Sequence, residues 1–341
     1  MNPAPSPHPP ALAGAAETGS LGIVYLKRFW SRTLAARGPI TPPPPSAGEL
    51  VADTVLLAGL RLGLRETLDF LIRGVPPFGE FEAWVLARNH GAIGPERVAR
   101  LNGALRGDGS FSLESIQAEP ALSAAELDFW DEQGYVVVRQ AVSPDQSRAA
   151  AEAIFEHAGI ELGHPDSWYG DNLWLPLAQH PALWANRLSP RIHTAFAQLW
   201  KRRDLWVNVD VCGVNPPLRP GYPFRGSPLH WDMTLAPPIR FGTQAILYLT
   251  DTATEQGAFS CVPGFHRRLA DWLRALPAGV DPRAQAAAEL RATPIAGRAG
   301  DLIIWHHALP HAATPNRAAL PRVVQYLNLF PSQFEVNEQW S

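Results

Sequence analysis

Cysteine is almost missing from this 341-residue chain: there are two, Cys212 and Cys261, and neither belongs to a CxxC pair. No disulfide framework can be inferred from them, and a reducing cytoplasm is the expected compartment. An excess of one charge is missing too, since 29 basic and 32 acidic residues leave a formal net charge of -3. The only short basic cluster, Lys201-Arg202-Arg203, reads as a solvated turn, so no nucleic-acid partner is expected. No run of about eighteen uninterrupted apolar residues occurs, and no membrane-spanning helix is expected. The opening MNPAPSPHPPALAGAAETGS lacks a basic segment followed by an apolar one and does not read as a signal peptide. What is present is 46% hydrophobic and 18% charged residues, the balance of a soluble globular protein with a sizeable core.

Composition changes along the chain mark three regions. Residues 1–20 are rich in Pro, Ala and Ser and read as a disordered tail. Residues 21–110 read as helical: a segment over 21–37, a polyproline linker at Pro42–Pro45, and then Leu56, Leu57, Leu60, Leu64 and Leu68 at spacings of three and four. Gly94-Pro95 marks a further helix start, and RGDGS at 106–110 reads as a linker. A third region, 121–341, opens with Ser123 as N-cap and Glu126 at capping-box offset. Gly134 closes that helix, Tyr135–Arg139 is strand-like, and Ser143-Pro144 opens the next helix. From Leu205 onward short β runs follow one another: LWVNVDVCGV, TQAILYLTD, DLIIW and RVVQYLNLF. Helices in front of many short strands suggest a mainly β fold with flanking helices, a jelly-roll barrel and not a parallel α/β sheet.

Within that region His230-Trp231-Asp232 forms an HxD pair. In an extended segment residues two apart face the same side, so both side chains can reach one metal ion. A histidine some way downstream would complete a 2-His-1-carboxylate triad, which leaves positions on iron(II) for an oxo acid and dioxygen. His306, His307 and His311 compete for this place. A buried oxo-acid carboxylate needs a fixed cation, for which the planar fork of arginine is suited. His306 with Arg317 and His311 with Arg322 share one spacing, but Arg317 sits in the turn signature Pro315-Asn316-Arg317, while Arg322 opens a strand. His311 with Arg322 is therefore preferred, and His306 and His307 read as core or supporting histidines.

Four stretches together resemble the phytanoyl-CoA dioxygenase family of iron(II)/2-oxoglutarate oxygenases: LSAAELDFWDEQGYVVVRQAVSP, LHWD, YLTDTATEQGAFSCVPGFHRR and GRAGDLIIWHHALPHAATPNRAALPRVVQYL. The likeness covers about 121–331 and does not extend to 1–110. It implies a double-stranded β-helix (jelly-roll, cupin-like), with His230, Asp232 and His311 as ligands of Fe(2+) and Arg322 gripping 2-oxoglutarate. It also implies a small-molecule substrate and O2 as partners. Two positions depart from the family pattern. Ile246 replaces a tryptophan common in the strand after HxD, and Ala313 replaces a small polar residue two after the distal histidine. Because Asp232 is retained, hydroxylation is favoured over the halogenation associated with loss of that carboxylate. The expected activity is hydroxylation of an unactivated C–H bond of a small, largely apolar metabolite, with release of succinate and CO2.

Further candidates follow from strand parity and from loops. Gln244 and Tyr248 share a face with Ile246 and are candidate cofactor contacts. Asn208 and Asp210 alternate on LWVNVDV and point to the barrel interior if that run is one strand. Asn208, Trp231, Trp168 and Tyr169 are candidate substrate contacts, the last two on a loop that would lie over a barrel mouth. His266, after the VPGF turn, reads as structural. Two other readings compete: a non-catalytic metal-binding jelly roll, and a metal dioxygenase without 2-oxoglutarate. An intact triad with Arg322 argues against both.

Overall fold

The computed structural model describes residues 11–36, 44–108, 119–170 and 174–337. In chain order these begin with α1 (Leu26–Ala35), α2 (Ala47–Gly59), α3 (Leu64–Gly74), α4 (Phe78–Arg88) and α5 (Pro95–Arg106). There follow α6 (Ala124–Gln133), β1 (Tyr135–Val138), α7 (Pro144–Ala158), β2 (Trp174–Leu175), α8 (Pro181–Arg187), α9 (Pro190–Trp200), β3 (Leu205–Val207), β4 (Cys212–Asn215) and β5 (Thr243–Tyr248). The last are β6 (Phe259–Cys261), α10 (Leu269–Ala275), α11 (Pro282–Glu289), β7 (Thr293–Pro294), β8 (Leu302–His306), β9 (His311–Ala313), β10 (Arg322–Tyr326) and β11 (Leu329–Pro331). Contacts divide the chain into two units.

The first unit is formed by the described residues up to 108, with 203–209 and 331–337. Its helices start where the chain supplies partners for free amides. The Glu49 N–H donates to Ser46 Oγ (3.3 Å) and the Ser46 N–H donates back to Glu49 Oε2 (3.2 Å). Gly94 caps α5 with Pro95 in its first turn, as the Gly-Pro pair suggested. The leucine ladder holds only in part: Leu56, Leu57 and Leu60 are buried, but Leu64 is 55% exposed. Helix α2 stops at Gly59 and Arg61 adopts φ 55, so α3 restarts with a new rotational phase and buries Thr67 and Leu71 instead. Residues 11–20, read from composition as tail, are tied into this unit. The Ala13 N–H donates to Ser31 Oγ (3.0 Å), and the Ser20 and Leu21 amides donate to Glu82 (3.0 and 2.9 Å). Buried contacts therefore override the disorder suggested by the composition there. Residues 1–10, Pro42, Pro43, and 109–110 of the RGDGS stretch lie outside the described residues.

The second unit, the described residues of 119–202 and 210–330, holds two antiparallel sheets. Ser123 and Glu126 make the expected capping box, with the Ser123 N–H donating to Glu126 Oε2 (2.8 Å) and the Glu126 N–H to Ser123 Oγ (3.3 Å). Gly134, at φ 75, ends α6 and turns the chain into β1. The larger sheet has the order β1-β8-β5-β10-β4-β2 and the smaller the order β7-β6-β9. Parity sorts the strand side chains. On one face of β10, Gln325 accepts from Asn186 Nδ2 (2.9 Å) and donates to Leu183 O (3.0 Å), both beside α8. Arg322, Val324 and Tyr326 take the other face, and Val324 joins a buried core with Ile246, Tyr248, Phe259 and Trp305. That core lies between the sheets: Phe259 of β6 packs on Trp305 of β8 at 4.3 Å between ring centroids. Two expected strands are broken. LWVNVDVCGV divides into β3 and β4, and RVVQYLNLF into β10 and β11.

Candidate metal and oxo-acid site

Main-chain pairing brings the two outer members of the proposed triad together. The His230 N–H donates to His311 O and the His311 N–H donates to His230 O, both at 2.9 Å, although the residues are far apart in sequence. The rings then stand side by side with centroids 4.5 Å apart. Asp232, two residues on, faces the same way, its Oδ1 lying 3.3 Å from His230 Nε2 and its Oδ2 3.2 Å from His311 Nε2. One ligand atom from each of the three lies within 4.8 Å of the others. Each Nδ1 faces a backbone carbonyl, Pro228 O for His230 (2.7 Å) and Leu309 O for His311 (3.2 Å). A carbonyl only accepts, so Nδ1 keeps its proton. Nε2, which donates to Asp232 while the ring is protonated, turns its lone pair to the shared centre once that second proton leaves.

The electrostatics agree with a cation site. Hydrogen bonds from the His230 and His311 rings, against the cost of burial, hold the Asp232 carboxyl well below the usual carboxylate range. Burial works against a charged His230 ring, but the hydrogen bond and charge of Asp232 outweigh it and raise the pKa. Two imidazole nitrogens and one carboxylate, all on one side, are the donor set of a facial 2-His-1-carboxylate centre and fit iron(II). Beside them a pocket is lined by Trp174, Asn215, Phe224, Ala313, Arg322 and Tyr326, among others. Ala313 lies two residues beyond His311 on β9, so the pocket adjoins the histidine strand. Arg322 is 5% exposed and its buried Nε has no hydrogen-bond partner among the described residues. A buried guanidinium with an unused donor fits the carboxylate of an oxo acid.

The remaining candidates separate. Gln244 does not line the pocket. Its Nε2 donates to Asp232 Oδ2 (2.8 Å) while its Oε1 accepts from Trp305 Nε1 (3.1 Å), so it aims the carboxylate. Tyr248 is corrected to a core residue: it is fully buried, its hydroxyl donating to Ile295 O (2.8 Å) and accepting from the Phe259 N–H (2.9 Å). Trp231 is likewise corrected. Alternation turns it away from its two neighbours, and it is 2% exposed with Nε1 donating to Ala308 O (2.9 Å). Trp168 is buried under its own loop, donating to Glu161 O (2.9 Å). Tyr169 packs edge-on against Tyr222 (4.9 Å) with Arg219 over its face (3.6 Å), while Asp171 and Asn172 lie outside the described residues. Asn208 falls in the break between β3 and β4 and groups with the first unit. Ile246 is buried in the core, and Thr314 points away from the pocket, donating to Ala258 O (2.8 Å).

His306 and His307 support the fold. Burial lowers the His306 pKa to about 3 and also depresses that of His307, whose Nε2 meets Arg240 O. His266 packs against Gly134 and His306 and its pKa is lowered by burial. Arg317 is exposed, in keeping with its turn. Tyr326 and Trp174, which line the pocket, were not among the expected site residues. Tyr326 carried a signal, being four residues after Arg322 on the same strand face.

Comparison with known proteins gives the family. The model of the phytanoyl-CoA dioxygenase family matches residues 130–324, more than half of the chain. A Dictyostelium discoideum protein that carries the same family's name is 22% identical over 261 residues, covering 60% of this chain and 74% of that protein. Among solved structures, the non-heme alpha-ketoglutarate-dependent carbocyclase SnoK of nogalamycin biosynthesis is 23% identical, with a TM-score of 0.47 over 65% of this chain and 90% of its own. EvdO2 of Micromonospora carbonacea var. aurantiaca, complexed with 2-oxoglutarate, is 17% identical with a TM-score of 0.46, over 66% and 96%. The family match spans both histidines, the aspartate and the arginine described above, and the chain is thus an enzyme of the phytanoyl-CoA dioxygenase family, whose members use Fe(II) and 2-oxoglutarate.

Proposed function

We propose that the enzyme hydroxylates an unactivated C–H bond of a small, largely apolar metabolite, with iron held by His230, Asp232 and His311 and 2-oxoglutarate held by Arg322. The observation that carries this reading is the convergence of three donor atoms within 4.8 Å beside a pocket whose buried arginine has a free donor. Iron(II) with 2-oxoglutarate and dioxygen supplies the oxidising chemistry, coupling substrate oxidation to formation of succinate and CO2. The protein supplies position. The Nδ1 bonds to Pro228 O and Leu309 O fix both imidazole tautomers, and Gln244 holds one carboxylate oxygen of Asp232. Arg322 would take the distal carboxylate of the oxo acid, its charge strengthened by the apolar walls of Val214, Phe224 and Ala313. Tyr326 lies beside it; burial raises its pKa, so its hydroxyl stays protonated and can donate. The loop that brings Phe224 to the pocket also carries Tyr222, on which Tyr169 packs, and this aromatic rim would select the substrate. The two sheets would form a double-stranded β-helix, with 21–110 as a separate helical region.

Anaerobic addition of iron(II) and 2-oxoglutarate tests the reading through the weak metal-to-ligand band in the visible. The wild type should develop the band, His311→Ala should lose it, and Arg322→Ala should need much more 2-oxoglutarate to reach it. A wild type that binds iron without the band, or Arg322→Ala titrating like wild type, sinks the assignment. Succinate release over a panel of apolar candidates then identifies the substrate.

A further inference from the structure

We infer that Arg283 is a positioning residue that aims Asp232 by gripping the main chain on both sides of it. Its Nη1 donates to Trp231 O and its Nη2 donates to Met233 O, each at 2.8 Å. These two carbonyls belong to the residues immediately before and after Asp232. One planar guanidinium therefore fixes a peptide unit on either flank, and with them the direction in which the Asp232 side chain leaves the backbone. Through these two bonds Arg283 acts on Asp232 by way of the main chain.

The grip is anchored at both ends. Arg283 stands at the start of α11, where its own N–H donates to Asp281 Oδ1 (3.0 Å). On the other side, Trp231 packs near Phe265 and Trp272, with ring centroids 6.1 and 6.2 Å away, and hydrogen-bonds to Ala308 O. The backbone at Asp232 is thus held from behind by the segment between β6 and β7. Its side chain needs that support, because it is 51% exposed and is held otherwise by Gln244 and the two rings. A carboxylate aimed by its own backbone gives up little conformational freedom when a cation arrives.

The inference rests on His230, Asp232 and His311 being the metal ligands, and its test separates the two. Cobalt(II) serves as the probe, read by its visible absorption in wild type, Arg283→Ala, Arg283→Lys and His311→Ala, with melting temperatures of the metal-free proteins recorded alongside. Loss of such outer support commonly weakens metal binding about 10–100-fold, so Arg283→Ala should raise the cobalt Kd at least about tenfold. Arg283→Lys, which can reach one carbonyl but lacks the fork, should fall between. The metal-free melting temperature should change much less than that of a core variant. Wild-type cobalt affinity in Arg283→Ala overturns the inference alone. So does a weakening no greater than the loss of melting temperature explains. If Arg283→Ala does not fold, wild-type affinity in Arg283→Lys overturns it equally. A wild type that binds no cobalt, like His311→Ala, overturns the ligand assignment and the inference with it.

Discussion

At the scale of single residues, the site separates roles that strand parity alone merges. Gln244 and Tyr248 lie on one face of β5, yet four residues of extended chain is about 13 Å, so one reaches Asp232 and the other lies in the core. Parity was legible in the sequence; depth along the strand was not, because it depends on where the second sheet crosses. Trp231 shows the reverse, since alternation already places it opposite its neighbours. The preference for His311 with Arg322 rests on the turn declared by Pro315-Asn316-Arg317, and in the fold Asn316 Nδ2 closes that turn on Leu320 O (2.8 Å). Where the family's small polar residue is Ala313, Tyr326 offers a hydroxyl in the same pocket. Tyr326→Phe should therefore raise the 2-oxoglutarate Kd about tenfold, a hydrogen bond to a charged group being worth about 1.5 kcal/mol. Cobalt affinity should stay the same. Calorimetric titration showing wild-type 2-oxoglutarate binding would leave Tyr326 as a wall of the pocket and nothing more.

At the scale of elements, local signals translated well and extended ones did not. Capping boxes at Ser46, Ser123 and Ser143 form because both partners lie within one turn of chain. The leucine spacing through 56–68 crosses a helix break, and a periodicity has no meaning once the rotation is reset. The NVDV alternation fails for a different reason: Asp210 Oδ1 accepts its neighbour's N–H at Val211 (2.7 Å), a local bond that competes with a strand ladder. The α6–β1 corner gives a test. Gly134 has φ 75, and a Cβ there would overlap the His266 ring, so Gly134→Ala meets both backbone strain and a clash. A loss of about 2 kcal/mol is expected, or about 4–8 °C in melting temperature for a unit of this size. A melting curve unchanged by Gly134→Ala would show that His266 yields without cost.

At the scale of the whole molecule, non-local grouping was the least legible feature. Nothing in the composition of 203–209 or 331–337 shows that they join the helical unit, because that depends on where distant strands end. Acid response also belongs to this scale. His266, His306 and His307 all have pKa values lowered by burial, so the unfolded chain binds more protons than the folded one as the pH falls below about 6.5. Their contribution is complete above that pH and is lost on acidification toward the His306 value of about 3. His230, with its pKa raised, acts with the opposite sign and offsets part of the loss. In chelator, the melting temperature should fall between pH 6.5 and 4.5, with His306 accounting for about 2 kcal/mol. His306→Gln should flatten that slope, and an unaltered slope would show that the acid response lies elsewhere. The mutual amide bonds between His230 and His311 carry one more consequence. Because main-chain atoms fix the backbone spacing of the two residues, and the carbonyls of Pro228 and Leu309 hold their rings, neither depends on the identity of a rim side chain. On the proposed ligand assignment, loops around the opening would be exchangeable without moving the two histidines, which would make the oxidising chemistry and the choice of what is oxidised separable variables in this molecule.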